Sequence, residues 1–242
     1  MIRFPTNGKP FKSPKGHIIQ GFGENPDVYA GFGLAGHDGW DILPEIGYGE
    51  NLYCPVTGTV VRAYFNGQGL GNQIHILSDD TFDGWQLFTE LGHMTDTQLV
   101  KEGDKVYMGQ IIGHMGNSGF TVSGGVKAWG NSNPDKKGTH THWLVRWLKE
   151  NNSPSNTSYF GKNYLIKDFN NGFKGAFDPE TLRSMFMTNV KLIKHGNEFA
   201  FYVPITNEQA AIDKALNFNY PLPTLENGSK VDWANVRPDI TI

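Results

Sequence analysis

The sequence predicts a mainly β protein in which short antiparallel strands are joined by tight turns. The chain of 242 residues contains 30 glycines and 13 prolines, a composition that favours many turns over long helices. Between about residues 18 and 147, short alternating or apolar runs are interrupted by glycine, as is typical of strands. Hydrophobic residues make up 38% of the chain, which is enough for a folded core.

Six apolar or alternating runs predict the main strands. In chain order they cover residues 52–56, 59–65, 72–78, 85–94, 105–115 and 140–148. Between the last two runs, the segment TVSGGVKAWGNSNPDKKG at residues 121–138 is rich in Gly, Asn, Ser and Pro. We therefore expect a long loop there, and a loop of that length usually has a function.

The pattern changes after residue 148. The polar stretch at residues 149–158 predicts an excursion or linker, and the Asp-Pro pair within residues 175–186 predicts a short helix. Beyond Val190, residues 191–205 favour one or two strands and residues 207–218 a short helix. We accordingly expect a domain over residues 1–189 and a C-terminal extension of unknown role over residues 190–242.

Charge and apolar content exclude several classes of partner. The chain has 21 Lys+Arg against 24 Asp+Glu, a net charge of −3, so no basic excess is present to bind nucleic acid. It contains neither a membrane-spanning apolar run nor a signal peptide. We therefore expect synthesis in the cytoplasm, followed by release or by association with a virion. Cys54 is the single cysteine, so no intramolecular disulfide is expected.

The segment His37-Asp38-Gly39-Trp40-Asp41 offers the first candidate metal ligands. Zinc binds neutral imidazole and carboxylate at about 2.0 to 2.2 Å, and His37 and Asp41 supply one of each. On a regular strand their Cα atoms would lie about 13 Å apart, so the chain must bend between them, as Gly36 and Gly39 would permit. Taken alone, the segment favours an ordinary polar turn before a strand.

A second candidate is His140-Thr141-His142, at the start of a strongly β-forming run. Residues two apart share one face of a strand at about 6.6 Å, so one imidazole can bind a metal while the other reaches water on that metal. An idle position on a surface strand is the alternative. His93 lies at the end of the strand run at residues 85–94, and taken alone it favours a hydrogen-bonded structural residue over a catalytic one. The remaining histidines carry no such pattern.

In this order the motifs resemble those of lysostaphin/LytM-type zinc endopeptidases, which cleave the peptide part of bacterial peptidoglycan. H-x-x-x-D, a strand-end His and H-x-H correspond to His37/Asp41, His93 and His140/His142. Other segments also resemble the family, notably LVKEGDKVYMGQIIGHMGNSG before H-x-H and FDP at residues 177–179 after it. The resemblance covers roughly residues 18 to 185 and implies a lysostaphin/LytM-like antiparallel β fold.

The resemblance also implies roles for these residues. His37, Asp41 and His142 would bind one Zn2+, while His93 and His140 would act on the bound water and the developing oxyanion. Apart from the resemblance, Tyr29 precedes His37 in the sequence; its position favours a buried structural tyrosine, with a further oxyanion donor as the alternative. The loop that contains Trp129 is longer than in the family, and we expect it to line the substrate groove or to alter access to it. No H-E-x-x-H helix is present, which excludes a thermolysin-like route to zinc.

Two other function classes remain open at this point. One is a relative that binds peptidoglycan without cutting it. The other is a structural zinc protein, for example of a virion, whose site would be closed by a fourth protein ligand. A peptidoglycan hydrolase, as in a phage-type endolysin, is the function that the resemblance favours.

Overall fold

Strands dominate the described part of the chain. The computed structural model describes residues 5, 18–44, 46–123, 126–128, 136–152, 157–182, 191–195 and 198–202, and every structural statement below concerns these residues. The predicted mainly β fold with short helices is confirmed. In chain order the strands are β1 (Ile18–Gln20), β2 (Trp40–Ile42), β3 (Asn51–Tyr53), β4 (Gly58–Asn66), β5 (Gly71–Phe82), β6 (Trp85–Gln98), β7 (Lys105–Val106), β8 (Ile111–Met115), β9 (Thr121–Ser123), β10 (Val126–Ala128), β11 (Thr141–Asn151), β12 (Thr157–Tyr159), β13 (Lys162–Ile166), β14 (Lys191–His195) and β15 (Glu198–Tyr202).

Helical structure is confined to short segments. The helix α1 (Pro26–Tyr29) is followed directly by a 3-10 turn, Ala30–Phe32. Residues 180–182 are helical as well, where the Asp-Pro pair predicts a helix. The helix predicted at 207–218 lies outside the described residues.

An antiparallel sheet of eleven strands forms the body of the domain. Its main path runs β1-β2-β11-β6-β5-β4-β7, and the remaining pairings join β12 to β13, β13 to β11, β3 to β8 and β8 to β6. The long strand β11 is central because it pairs with β2, β6 and β13. Segments that are far apart in sequence therefore meet on neighbouring strands.

Two strand predictions need correction. The run at 105–115 is divided into β7 and β8, because Gly109 has a φ of +85° and the Gln110 amide donates to the Tyr107 carbonyl in a turn. Within the predicted loop 121–138, β9 and β10 form a separate two-stranded sheet. Thr121 and Val126 are β-branched, and they make strand structure possible on either side of a glycine pair.

The predicted linker at 149–158 is also partly wrong. β11 continues to Asn151 and β12 begins at Thr157. Both stretches pair with β13, so cross-strand hydrogen bonds stabilise a polar sequence that has no strand signal of its own. Cys54 is fully buried, and it follows β3 directly.

One face of the sheet carries both apolar packing and the buried polar groups. The apolar cluster on this face includes Leu77, Phe88 and Leu144. In the register of β5, β6 and β11, His75 lies opposite Glu90, and Glu90 lies opposite Leu144. Since directly opposed residues share a face, the histidines of this face are held in a sheet with a packed core.

The chain divides into two compact units, residues 1–182 and 183–242. In the second unit, β14 and β15 pair antiparallel, in agreement with the strands predicted for 191–205. The predicted domain boundary at residues 189/190 falls outside the described residues and stays a prediction. No helix in the described ranges is long and apolar enough to cross a membrane.

Candidate metal centre

The side chains of His37, Asp41 and His142 meet at one point. His37 Nε2 lies 2.9 Å from His142 Nδ1 and 3.2 Å from Asp41 Oδ1, and His142 Nδ1 lies 3.1 Å from the same oxygen. All three residues are buried. Ligands about 2.0 to 2.1 Å from a tetrahedral ion lie roughly 3.3 Å from one another, so this triangle has nearly the size that one metal ion requires.

Strand pairing brings these residues together across more than a hundred positions of sequence. Asp41 on β2 is the direct partner of His142 on β11, so their side chains share one face. His37 precedes β2 and reaches the same point because the chain bends before the strand begins. The amide of His37 donates to the Glu24 carbonyl, and its carbonyl accepts from the Gly23 amide.

Gly36 and Gly39 permit this approach by having no side chain. A Cβ at position 36 would lie 2.4 Å from the Gly23 oxygen. A Cβ at position 39 would lie 2.5 Å from the Trp143 oxygen and 2.9 Å from His142 Nε2. Glycine is therefore required at both positions, as expected, but the reason is close backbone packing, of Gly36 against Gly23 and of Gly39 against β11.

The hydrogen bonds fix the protonation pattern of His37. Its Nδ1 lies 3.1 Å from the Gly21 carbonyl oxygen, which accepts only, so the proton of the neutral ring is on Nδ1. Nε2 then presents a lone pair toward the carboxylate oxygen of Asp41. Two acceptors at 3.2 Å repel each other unless a cation or proton lies between them, and a metal ion held by Asp41, His37 and His142 would provide that charge.

The charges around the site agree with this requirement. Burial alone would raise the pKa of Asp41, but His140, His142 and His37 outweigh it and hold that pKa well below its usual value. Burial likewise opposes protonation of His142, yet the hydrogen bond to Asp41 and the negative charge of Asp38 raise its pKa. The carboxylate thus stays ionised, and the pocket favours positive charge between the ligands.

His93 and His140 lie side by side next to the triangle, with ring centroids 4.4 Å apart. Nδ1 of His93 lies 2.7 Å from the Ser118 carbonyl and Nδ1 of His140 lies 2.8 Å from the Gly138 carbonyl. Each ring therefore carries its proton on Nδ1 and presents the Nε2 lone pair. His140 Nε2 lies 3.6 Å from Asp41 Oδ1, so this pair borders the three candidate ligands.

His93 is held in an unusual conformation. Its φ of +56° is in the left-handed region, which costs a non-glycine residue about 1 to 2 kcal/mol. A backbone hydrogen bond of 2.6 Å from its amide to the Leu70 carbonyl and the bond to Ser118 hold it there. Burial and then the charge of His140 lower the pKa of His93 to about 3, so its ring is neutral near pH 7.

Tyr29 and Asp38 also border the site. The Tyr29 ring packs 5.2 Å from the His37 ring, and its hydroxyl accepts a hydrogen bond from Gln20 at 3.1 Å. Burial, followed by the charge of Asp41, raises the pKa of Tyr29, so it remains a hydroxyl donor. Asp38 was not singled out by the sequence, although it directly follows His37. Trp129 lies outside the described residues.

His75 lies in a second buried cluster on the same face. Its Nε2 is 2.9 Å from Gln73 Oε1 and 3.3 Å from Glu90 Oε2. The ring packs between Tyr64 and Phe88 at centroid distances of 5.5 and 5.3 Å. This histidine is surrounded by packing partners, as expected for a structural residue.

A family model described as Peptidase family M23 matches residues 35–156. That range is half of the chain and contains all five residues of the site, His37, Asp41, His93, His140 and His142. The match confirms the resemblance to lysostaphin/LytM-type peptidases. A comparison with curated proteins finds no match.

Several solved structures are similar to this chain. The catalytic domain of a mutant of EnpA, a prophage-encoded M23 protein from Enterococcus faecalis, is 26% identical over 59% of this chain and 85% of that chain, with a TM-score of 0.39. A zinc-containing peptidase from Vibrio cholerae is 25% identical over 59% of this chain and 35% of that chain, with a TM-score of 0.39. The catalytic domain of lysostaphin from Staphylococcus simulans is 20% identical over 76% and 92% of the two chains, with a TM-score of 0.39.

Proposed function

The chain belongs to peptidase family M23, and from this premise we propose that it is a zinc-dependent endopeptidase that hydrolyses peptide bonds in bacterial peptidoglycan. One observation carries the proposal: two imidazole nitrogens and one carboxylate oxygen converge within 3.2 Å of one another. Two further histidines border that point with free lone pairs. A peptidase of this kind needs both a metal site and groups that move protons.

His37 Nε2, Asp41 Oδ1 and His142 Nδ1 would hold the single zinc ion. Two imidazoles and a carboxylate are typical ligands of catalytic zinc, which keeps a further position for water or substrate. When bound, zinc would lower the pKa of water and polarise the scissile carbonyl as a Lewis acid. No fourth His, Cys, Asp or Glu joins the cluster in the described part of the chain, as an open site requires.

His93 and His140 would carry the proton transfers. Because each ring donates its Nδ1–H to a carbonyl, Nε2 is the atom that accepts a proton from the attacking water. The ring that accepts it becomes an N–H donor at the same atom. It can then hydrogen-bond to the developing oxyanion or pass the proton to the leaving nitrogen as the C–N bond breaks. The product is a free carboxylate and a free amine.

The substrate class follows from the family resemblance. We propose stem peptides or cross-bridges of peptidoglycan as the substrate and the cell wall as the place of action. A phage-type endolysin, released from the cytoplasm or carried by a virion, is the setting that we propose. Immunoblots of purified virions and of cleared lysates would distinguish the two routes.

Two assays on the purified full chain test the function. We expect about one zinc per chain by metal analysis and a fall in turbidity of purified cell walls on addition of the protein. Mass spectrometry of the released muropeptides should detect new amino termini from cleaved peptide bonds. Zinc without lysis on walls of several cross-bridge types would instead indicate a structural zinc protein, and neither zinc nor lysis would indicate a binding module.

A further inference from the structure

One atom of the candidate metal centre has no hydrogen-bond partner. His142 presents Nδ1 to His37 and Asp41, whereas its other ring nitrogen, Nε2, is buried and unpaired among the described residues. The nearest carboxylate is Asp38, whose Oδ1 lies 3.6 Å from Nε2. The two ring nitrogens of His142 thus meet two different aspartates.

Metal binding decides which nitrogen carries the proton. If Nδ1 gives its lone pair to the metal, the proton of the neutral imidazole is on Nε2. A buried N–H without an acceptor is unfavourable by about 1 to 3 kcal/mol, so the metal-bound ring needs an acceptor at this position. Asp38 is the carboxylate at the required place.

We propose that Asp38 is a positioning residue of the metal centre, accepting the Nε2–H of His142 and thereby fixing its ring and tautomer. This inference rests on the proposed function, because it assumes that His142 binds zinc through Nδ1. Metal-bound histidines commonly donate their second N–H to a carboxylate, which orients the ring and makes it a better ligand. Asp38 does not bind the metal, and it acts only through His142.

The surroundings of Asp38 suit this role. Its second oxygen, Oδ2, lies 3.9 Å from Nη2 of Arg146, which is on the same strand as His142. The Asp38 side chain is 17% exposed, so it can rotate by the few tenths of an ångström that separate 3.6 Å from a good hydrogen bond. The positive charge of Arg146 attracts the Asp38 carboxylate toward β11.

Replacement of the carboxylate should weaken metal binding without removing a ligand. Asp38→Leu has a similar size and no acceptor, so the Nε2–H of metal-bound His142 would be left unpaired. We expect about a 10- to 100-fold weaker zinc affinity, the usual effect of such a partner. Asp38→Asn keeps a carbonyl acceptor, and it should restore at least part of the lost affinity.

The test is zinc affinity, measured on the full chain by competition with a chromophoric chelator. Asp27→Leu is the matched control, because it removes one exposed carboxylate from the same N-terminal region. Visible absorption of the cobalt-substituted proteins is the second measurement. We expect its bands to shift in Asp38→Leu, where the His142 ring is less well oriented, and to be unchanged in Asp27→Leu.

Each outcome has a defined meaning. A loss of zinc affinity greater than threefold relative to Asp27→Leu, with partial rescue in Asp38→Asn, supports the proposal, and a smaller loss or no rescue overturns it. If Asp38→Leu does not fold, Asp38→Ser takes its place with the same threshold, since serine is too short to reach Nε2. If the unaltered chain binds no zinc, the proposed zinc site itself fails, which is a separate result.

Discussion

Two buried histidine–carboxylate clusters lie on the same face of the sheet. They differ in whether a single proton on the histidine ring accounts for the contacts between their polar atoms. At His75, one proton on Nε2 serves both neighbouring acceptors, at 2.9 Å on Gln73 and 3.3 Å on Glu90. At the other cluster, the lone pair of His37 Nε2 and the carboxylate of Asp41 face each other at 3.2 Å. His142 completes a triangle that a single cation can fill.

Burial of a histidine beside a carboxylate therefore does not by itself indicate a metal site. The number of lone pairs that converge on one point is the more useful criterion. By that criterion, the cluster at His75 is a structural hydrogen-bonded pair and the cluster at His37 is the candidate ligand set. Substitutions in the two clusters should therefore have different effects on zinc content, turnover and stability.

The largest effect is expected from His142→Ala. Loss of one of three ligands should reduce bound zinc from about one per chain to background and abolish hydrolysis. His75→Gln is the control, since it alters the second cluster and leaves the three ligands in place. Metal analysis after dialysis would decide, and zinc loss in both variants would contradict the contrast between the clusters.

The next largest effect is expected from His93→Ala and His140→Ala. Both should retain zinc, while turnover on purified cell walls should fall by about 10²-fold, the usual contribution of acid–base or oxyanion assistance. His114→Ala is a suitable control, because His114 is half-buried on β8 outside the site. Full activity of His140→Ala would mean that its role is wrongly assigned.

A smaller effect is expected from Gly39→Ala. The added methyl would lie 2.5 Å from the Trp143 oxygen and 2.8 Å from His142 Cε1, so β2 and β11 must separate or the ring must shift. We expect about tenfold weaker zinc binding, measured by chelator competition, as for other disturbances of ligand orientation. Gly31→Ala, with nothing within 4 Å of its Cβ, should bind zinc normally, and equal affinity of the two variants would contradict the packing argument.

The smallest effect is a pH dependence of stability at the second cluster. Burial lowers the pKa of His75 below the ordinary histidine value of about 6.5; Glu90 opposes this shift, and Arg62 and Arg146 reinforce it. A histidine with a depressed folded-state pKa binds its proton more readily when unfolded. Its contribution to stability is therefore present above about pH 6.5 and is lost as the pH falls through the folded-state pKa.

Thermal unfolding of zinc-loaded protein at pH 7 and pH 5 measures this contribution. The midpoint of the unaltered chain should fall more steeply than that of His75→Gln, whose side chain does not titrate. Parallel falls in the two proteins would show that His75 is not the group responsible.

Local sequence patterns predicted the main strands well. The runs at 59–65 and 72–78 appear as Gly58–Asn66 and Gly71–Phe82, because alternating apolar residues and bounding glycines act over a few residues. β12 and β13 were missed, since polar residues form strands there through the pairing of β13 with β11 and of β12 with β13. That pairing is a property of the tertiary structure.

The candidate site, like the strands, was only partly predictable from the sequence. His37, Asp41, His93, His140 and His142 follow a recognisable order in the sequence, and the structure gathers them at one place. Asp38 and Arg146 were missed because their proximity, 3.9 Å, depends on how β2 and β11 are aligned. The carbonyls of Gly21 and Ser118, which orient two of the imidazoles, leave no mark in a sequence, since every residue has one.

The most direct test is a crystal structure of the zinc-loaded chain with anomalous diffraction at the zinc absorption edge. We predict one anomalous peak about 2.0 to 2.2 Å from His37 Nε2, Asp41 Oδ1 and His142 Nδ1, with at least one non-protein position open on the ion. A peak elsewhere, no peak after zinc loading, or coordination through His142 Nε2 would contradict it.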